Sequence, residues 1–240
     1  MLITADNLDI TKIKVVIWDL DNTFWDGIIT EGEIHAVHKN IDLIKALSSH
    51  GIVNSICSKN NFDECKSKLI ELGVWEFFVF PSIDWTPKTN RVLQISEHMN
   101  LRPVNSLFLD DEPANLQRVL SIDNSVMCGT AQELVDVLAE QVLKLKEDPI
   151  CRRLKQYHEL ENKLEARTQF DSDDEFLHHA GIRIHLGRDT QSKVDRIVEL
   201  INRTNQLNYT KKRIEKDEVE MLLNDPEYEC AYVLCRVCFM

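Results

Sequence analysis

Val15-Val16-Ile17-Trp18-Asp19-Leu20-Asp21-Asn22-Thr23 is the stretch from which the rest of this chain is best read. An apolar run of β-type residues delivers two carboxylates, spaced i and i+2, into a turn. Successive strand residues point to opposite faces, so Asp19 and Asp21 share a side as the chain leaves the strand. Open α/β sheets place their ligands at such strand ends. Two carboxylates there suit metal-assisted phosphoryl transfer, in which one attacks and the other moves a proton.

Beyond a Trp25-Asp26-Gly27 flap, residues 41–50 have helical apolar spacing and end at Gly51 as a C-cap. Residues 52–57 read as a second strand. The Ser58-Lys59-Asn60-Asn61 turn then feeds a helix over 62–72, stopped by Gly73, and 77–80 reads as a third strand before Pro81. A helix over 91–99 and a fourth strand over 106–109 follow. This alternation predicts an α/β fold, a Rossmann-like parallel sheet with helices on both faces and its site at the strands' C-terminal ends. The stretches between Asp21 and Ser58 and between Ser58 and Lys88 have room for a flap or a crossover helix but no lid domain, so no large cap is expected.

Residues 131–146 look helical, and Asp148-Pro149 marks a break before a charged helix from Cys151 to about Arg167. A strand-like 182–186, helices over 192–204 and 216–223 and a last strand over 230–237 restart the fold in the order β, α, α, β. The expected division is a phosphoryl-transfer domain over 1–147, a helical linker over 148–170 and an incomplete α+β domain over 171–240. Its last apolar strand needs a neighbour for its edge.

The bulk properties narrow the class of function. A chain of 240 residues with 43% apolar content can bury a core, and its net charge of −12 argues against a nucleic-acid partner or an anionic membrane surface. There is no basic start followed by an apolar stretch, and no apolar run that would cross a bilayer, so a cytoplasmic location is expected. Seven cysteines, an odd number without framework spacing, fit reduced thiols. Cys230, Cys235 and Cys238 lack a partner pair at zinc-site spacing and read as strand residues, and His178 and His179 as surface or cap residues.

Four separated elements supply what phosphoryl transfer on an aspartate requires. Asp19 and Asp21 are the catalytic pair, as nucleophile and as the acid that protonates the leaving group and later deprotonates water. Ser58 and Lys88 bind phosphate, Lys88 also steadying Asp19. The fourth is Asp110-Asp111. Mg²⁺ would neutralise the approach of carboxylate to phosphate, held by hard oxygens from Asp19, Asp110, Asp111 and Asp21, the last through its backbone carbonyl. Each element has a plainer reading: the Asp19/Asp21 and Asp110-Asp111 carboxylates as caps, Ser58 as an N-cap, Lys88 as a surface charge. Adjacent carboxylates after the buried Leu107-Phe108-Leu109 run nevertheless repel unless a cation sits between them. Trp25 and Trp85 flank the site in sequence, as walls or as core aromatics.

In DLDNT, the Ser58 strand end, Lys88 and DD, the chain resembles the haloacid dehalogenase superfamily of aspartate-nucleophile phosphatases. WDLDNTFWDGII, ICSKNN, the WTPK of Trp85 to Lys88, LFLDDEPAN and the RTNQLN of Arg203 to Asn208 look like its FkbH-type branch. That resemblance implies loading of a glyceryl unit from 1,3-bisphosphoglycerate onto an acyl carrier protein, with a following acetyltransferase-like domain; other members have only a phosphatase role. In the branch, RTNQLN introduces a domain that continues further, and an Asp-Arg pair follows the strand matching Ala231-Tyr232-Val233, where this chain has Cys235-Arg236-Val237-Cys238. A thiol carrying the acyl group would be Cys57, the cysteine beside Ser58, whose alternative is a buried strand residue. Arg203, Asn205, Gln206 and Asn208 would contact a carrier protein or line a pocket, or else cap a helix. Three readings of function follow: acyl transfer, hydrolysis of a phosphorylated small molecule or protein, and a module that only holds a cation.

Overall fold

The computed structural model describes residues 1–167, 183–203 and 213–236. It divides into two units, Met1–Glu165 and Ala166–Met240. The first is built on a five-stranded parallel sheet whose strand order is β5-β4-β1-β6-β7. Its strands are β1 (Val15–Trp18), β4 (Val53–Ser58), β5 (Ser82–Ile83), β6 (Ser106–Leu109) and β7 (Met127–Gly129). A separate antiparallel pair, β2 (Trp25–Asp26) with β3 (His35–Ala36), forms the flap after the first turn.

Every residue of β1 is buried, and the pleat sorts the strand between two layers. Val16 and Trp18 pack with α1 (His38–Ser49), α2 (Phe62–Glu71) and α5 (Ala131–Val142). Val15 and Ile17 pack with α3 (Lys88–His98), α4 (Pro113–Ile122) and Leu154 of α6 (Arg152–Arg167). The helices therefore cover both faces, as the continuous apolar strands require. A polar contact inside this core is satisfied: Trp18 Nε1 donates to Asn54 Oδ1 at 3.1 Å, and Asn54 Nδ2 donates to the Ile44 carbonyl at 3.1 Å.

Several expected elements shift. The third strand is not at 77–80. Phe78 makes an isolated bridge to Asn54, Phe80 takes a positive φ of 50°, and regular pairing resumes only at Ser82–Ile83 beyond Pro81. The Phe80 N–H, turned out of the ladder, donates to Glu161 Oε1 of α6 at 2.7 Å. The fifth strand, Met127–Gly129, was not foreseen because three residues of Met-Cys-Gly carry no β pattern. Helices α1 and α3 start three residues earlier than their apolar spacing indicates, and Gly51 ends α1 at φ +77°. The charged helix expected as a linker instead packs on the first unit, through Leu154 and through His158, whose ring nitrogen bonds the Glu76 carbonyl at 2.9 Å. The compact unit therefore runs past 147 to Glu165.

In the second unit, β8 (Arg183–Gly187) pairs antiparallel with β9 (Tyr232–Arg236), and α7 (Val194–Arg203) and α8 (Lys216–Asn224) lie between them in sequence. The final strand thus finds its neighbour within the unit. Asn205, Gln206 and Asn208, with His178, His179 and Cys238, lie outside the described residues. No described helix is long and apolar enough to cross a membrane.

Candidate active site

The site is assembled by strand register. β1 pairs β6 with Val15 opposite Ser106 and Trp18 opposite Leu109, so the next residues, Asp19 and Asp110, emerge side by side. The Asp19 N–H donates to the Leu109 carbonyl at 2.9 Å and the Asp110 N–H to the Gly129 carbonyl at 3.2 Å, which extends the sheet by one residue at this end. On the other side β4 pairs Trp18 with Ile56, and Ser58 ends the strand beside Asp19. Ser58 does not cap α2. That role falls to Asn61, whose side chain accepts from the Glu64 N–H at 3.1 Å, which leaves the Ser58 hydroxyl for the site.

Ser58 Oγ donates to Asp19 Oδ1 at 2.8 Å, and Lys88 Nζ lies 2.7 Å from the same oxygen and 2.8 Å from Asp110 Oδ2. Lys88 is only 6% exposed, so it is no surface charge. Burial pushes the Asp19 carboxyl up to about 6, against the pull of the Lys88 ammonium, with Asp110 adding to the rise. For Lys88 burial works against the charge, but Asp19 and Asp110 outweigh it and raise its pKa above the usual lysine range. Asp110 is further tied by Asn115 Nδ2 at 3.1 Å to each oxygen and by the Glu112 N–H at 2.9 Å. Asp111 is held by Thr23, whose Oγ1 accepts the Asp111 N–H at 3.0 Å. Burial and the neighbouring Asp110 push its carboxyl above the ordinary range.

Asp19, Asp110 and Asp111 each offer a carboxylate oxygen, and these atoms lie within 4.8 Å of one another. Three carboxylates facing one lysine leave two negative charges uncompensated, which matches one divalent cation. An all-oxygen set fits Mg²⁺ rather than a thiolate- or imidazole-seeking metal. The Asp21 carboxylate stands apart from this triad. Its Oδ1 accepts from Trp25 Nε1 at 2.9 Å and the Ile29 N–H at 3.2 Å, and its Oδ2 from Asn60 Nδ2 at 2.9 Å. The turn between the two aspartates is tight: the Leu20 carbonyl accepts the N–H groups of Thr23, Phe24 and Trp25, and Asn22 takes a φ of 53°.

These side chains open onto a cavity of about 440 Å³ lined by Asp19, Asp21, Ser58, Lys88, Asp111 and Ile28 of the flap, among others. A larger hollow of about 640 Å³ lies at the opposite end of the sheet, beside Lys14, Ile52 and the 145–153 segment, and includes none of these residues. Cys57 is not brought to the site. It faces the α3 layer, fully buried and outside the cavity lining, and burial pushes its thiol up to about 12, so it stays protonated. Trp25 is a core residue that reaches the site through its indole N–H, whereas Trp85 is 65% exposed and outside the cavity lining. Arg203 is exposed on α7 and pairs with Glu199 at 2.8 Å. The motif reading passed over Thr23, Asn60, Arg91 and Asn115. Asn60 and Asn115 stand inside the ICSKNN and LFLDDEPAN motifs, but a short amide has no periodicity that announces its partner. Arg91, 5% exposed, ties the segment before Lys88 by donating to the Thr86 carbonyl and, at 3.0 Å, to the Ser58 carbonyl.

No protein-family model matches the chain, and no curated protein matches it. Among solved structures it is similar to the N-terminal part, containing a phosphatase domain and complexed with Mg, of a Bacteroides fragilis protein, at 25% identity and a TM-score of 0.45. That match covers 57% of this chain and 41% of the other, so this chain spans less than half of it. It is also similar to 3-deoxy-D-manno-octulosonate 8-phosphate phosphatase from Moraxella catarrhalis, solved with a magnesium ion, a phosphate ion and KDO, at 15% identity and a TM-score of 0.42, covering 67% of this chain and 94% of that one. A HAD-superfamily hydrolase from Ehrlichia chaffeensis matches at 14% identity and a TM-score of 0.43, over 54% of this chain and 98% of that one.

Proposed function

We propose that this chain is a Mg²⁺-dependent phosphohydrolase of the haloacid dehalogenase type, which passes the phosphoryl group of a phosphorylated small molecule to Asp19 and then to water. The observation that carries the reading is the convergence of Asp19, Ser58, Lys88 and Asp110 in one buried hydrogen-bonded cluster beside Asp111. A module that only held a cation would need neither the lysine nor a second carboxylate set apart from the triad. The buried ionic cluster is costly to fold, and such cost recurs where a site must meet charge with charge.

Mg²⁺, held by Asp19, Asp110 and Asp111 with the Asp21 backbone carbonyl, would supply neutralising charge for the phosphate. Lys88 orients the Asp19 carboxylate and adds a second positive point, and Ser58 swings its hydroxyl from Asp19 to a phosphate oxygen. Asp19 attacks phosphorus. The phosphorus–oxygen bond to the leaving group breaks with its electron pair on that oxygen, which takes a proton from Asp21. Water then attacks the aspartyl phosphate and gives its proton to Asp21, releasing inorganic phosphate and restoring both carboxyl groups.

The narrower reading, release of phosphate from 1,3-bisphosphoglycerate with transfer of the glyceryl group to an acyl carrier protein, is supported by the FkbH-type motifs in the sequence. RTNQLN, on which it leans, lies almost wholly outside the described residues. Phosphate release should be followed from 1,3-bisphosphoglycerate and from a generic aryl phosphate, with and without Mg²⁺ and a pantetheinylated carrier protein, in the intact chain and in Asp19→Asn. Mg²⁺-dependent release that disappears in the variant is expected. A carrier that speeds release and gains mass on its thiol would select acyl transfer; indifference to the carrier leaves the hydrolase. Release undiminished by Asp19→Asn would overturn both.

A further inference from the structure

We infer that Asn60 is a positioning residue that aims the transferable proton on Oδ2 of Asp21 at the leaving group. The inference rests on the hydrolase reading above. A carboxylate has about four lone-pair sites, two on each oxygen. On Asp21 both sites of Oδ1 are taken, by Trp25 Nε1–H at 2.9 Å and by the Ile29 N–H at 3.2 Å. Neither donor is free to leave. Trp25 is fully buried against Phe24, with ring centroids 6.3 Å apart, and the Ile29 N–H belongs to the flap backbone. Oδ2 accepts a single bond, from Asn60 Nδ2 at 2.9 Å, so the unclaimed site on the carboxyl is its second lone pair.

Asn60 does more than occupy space. It is 2% exposed, and its Nδ2 also reaches Ser58 Oγ at 3.3 Å, whose hydroxyl donates to Asp19 Oδ1 at 2.8 Å. One buried amide therefore spans the acid and the phosphate ligand, and ties Oδ2 of Asp21 to Ser58 and through it to the nucleophile. The helix cap beside it is a separate job done by Asn61, so removing the Asn60 amide leaves the start of α2 intact. Without that amide the Asp21 proton has two directions on Oδ2, and transfer to the leaving oxygen loses its geometry.

The test compares kcat/KM for an alkyl phosphate, glycerol phosphate, with that for p-nitrophenyl phosphate, in wild type, Asn60→Ala and Asn60→Ser. kcat/KM covers the steps through departure of the leaving group, so it isolates proton donation from the later attack of water. Nitrophenolate leaves without a proton and an alkoxide does not. Since a general acid is worth roughly 10²–10⁴-fold, misaiming it should cost about 30-fold on glycerol phosphate and less than about 3-fold on the aryl ester, with the thermal midpoint unchanged. Asn60→Ser, which supplies a hydroxyl too short to reach Asp21, should show the same split. Equal losses on both substrates, or no loss on either, would overturn the inference while leaving the hydrolase reading in place. Absence of Mg²⁺-dependent release from either substrate by wild type would overturn that reading and the inference with it.

Discussion

Strand β1 of the first unit is an apolar run of four residues, whereas strand β8 of the second alternates polar and apolar residues, and the two lie in opposite environments. Ile17 is fully buried between two helical layers, whereas Ile184 is 71% exposed on a two-stranded sheet. The charges differ in the same sense. Lys88 and Asp19 pair at 2.7 Å with side chains 6% and 7% exposed, while Arg188 and Glu229 pair at 3.2 Å with side chains 72% and 74% exposed. The second pair is nearly free of desolvation cost and worth little; the first is expensive and pre-arranged. What the contrast teaches is where chemistry is built: polar groups that a core would rather exclude are concentrated at one end of the buried sheet, and the scaffold around them must be strong enough to tolerate them.

Asp19→Asn gives the largest expected break. Phosphate release should fall by about 10³-fold or more, since the nucleophile is gone, read as Mg²⁺-dependent turnover. Stability should move the other way. Asp19 titrates near 6 in the folded chain, above its ordinary carboxyl range, so the stability that its protonated form lends is complete at low pH and is lost as pH rises through about 6. At pH 7 to 8 without Mg²⁺ the amide removes that liability. The variant should then unfold at the same denaturant concentration as wild type or a higher one, by up to about 3 kcal/mol. A marked loss of stability would mean that the Lys88 pair, rather than the chemistry, justifies the charge.

Equal truncations in the two sheets sharpen the contrast next. Ile17→Ala should cost about 2–5 kcal/mol through lost burial and a cavity between the helical layers. Ile184→Ala should stay within about 0.5 kcal/mol, as a surface change does. Comparable costs in urea unfolding would show that the β8–β9 sheet is covered in solution. Mg²⁺ should stabilise wild type by about 2.7 kcal/mol at a hundredfold excess over its dissociation constant, and chelation should remove the gain. The gain should shrink on going from pH 7.5 to 5, because a protonated Asp19 no longer ligates. Asp110→Asn should abolish it at both pH values. The smallest effect belongs to Arg188→Ala, within about 0.5 kcal/mol and indifferent to Mg²⁺.

The parts of the first unit that could be read in advance were those in which local pattern and tertiary demand agree. The four-residue runs Val15–Trp18 and Ser106–Leu109 are apolar throughout because helices cover both sides, and each ends where a carboxylate begins. The edge of the sheet was harder. Phe77 to Phe80 has the composition of a strand, but Phe80 takes a positive φ of 50° and gives its N–H to the Glu161 carboxylate, a partner from a helix far along the chain. Met127–Gly129 is a strand because β6 on one side and the Met1–Ile3 backbone on the other offer it hydrogen-bond partners. Helix α6 looked like a linker because its polar residues dominate; its docking depends on a few side chains, Leu154, His158 and Glu161.

By itself the sequence determined which residue types are on hand for chemistry and where they leave their strands: Asp19 and Asp21 after one apolar run, Ser58 after another, Asp110 and Asp111 after a third. That is local information, since alternation and apolar run length follow from the period of a strand. Only the tertiary structure decided which of them work on one another. Parallel register set Asp19 beside Asp110, a helix start delivered Lys88 between them, and buried amides divided the acids into a metal-facing triad and a separately held Asp21. It also withdrew Cys57, one residue from Ser58, because adjacent strand residues face opposite layers. The physical reason is that hydrogen bonds and desolvation act over a few ångströms of space, and residues far apart in sequence meet at that range only after the sheet has closed.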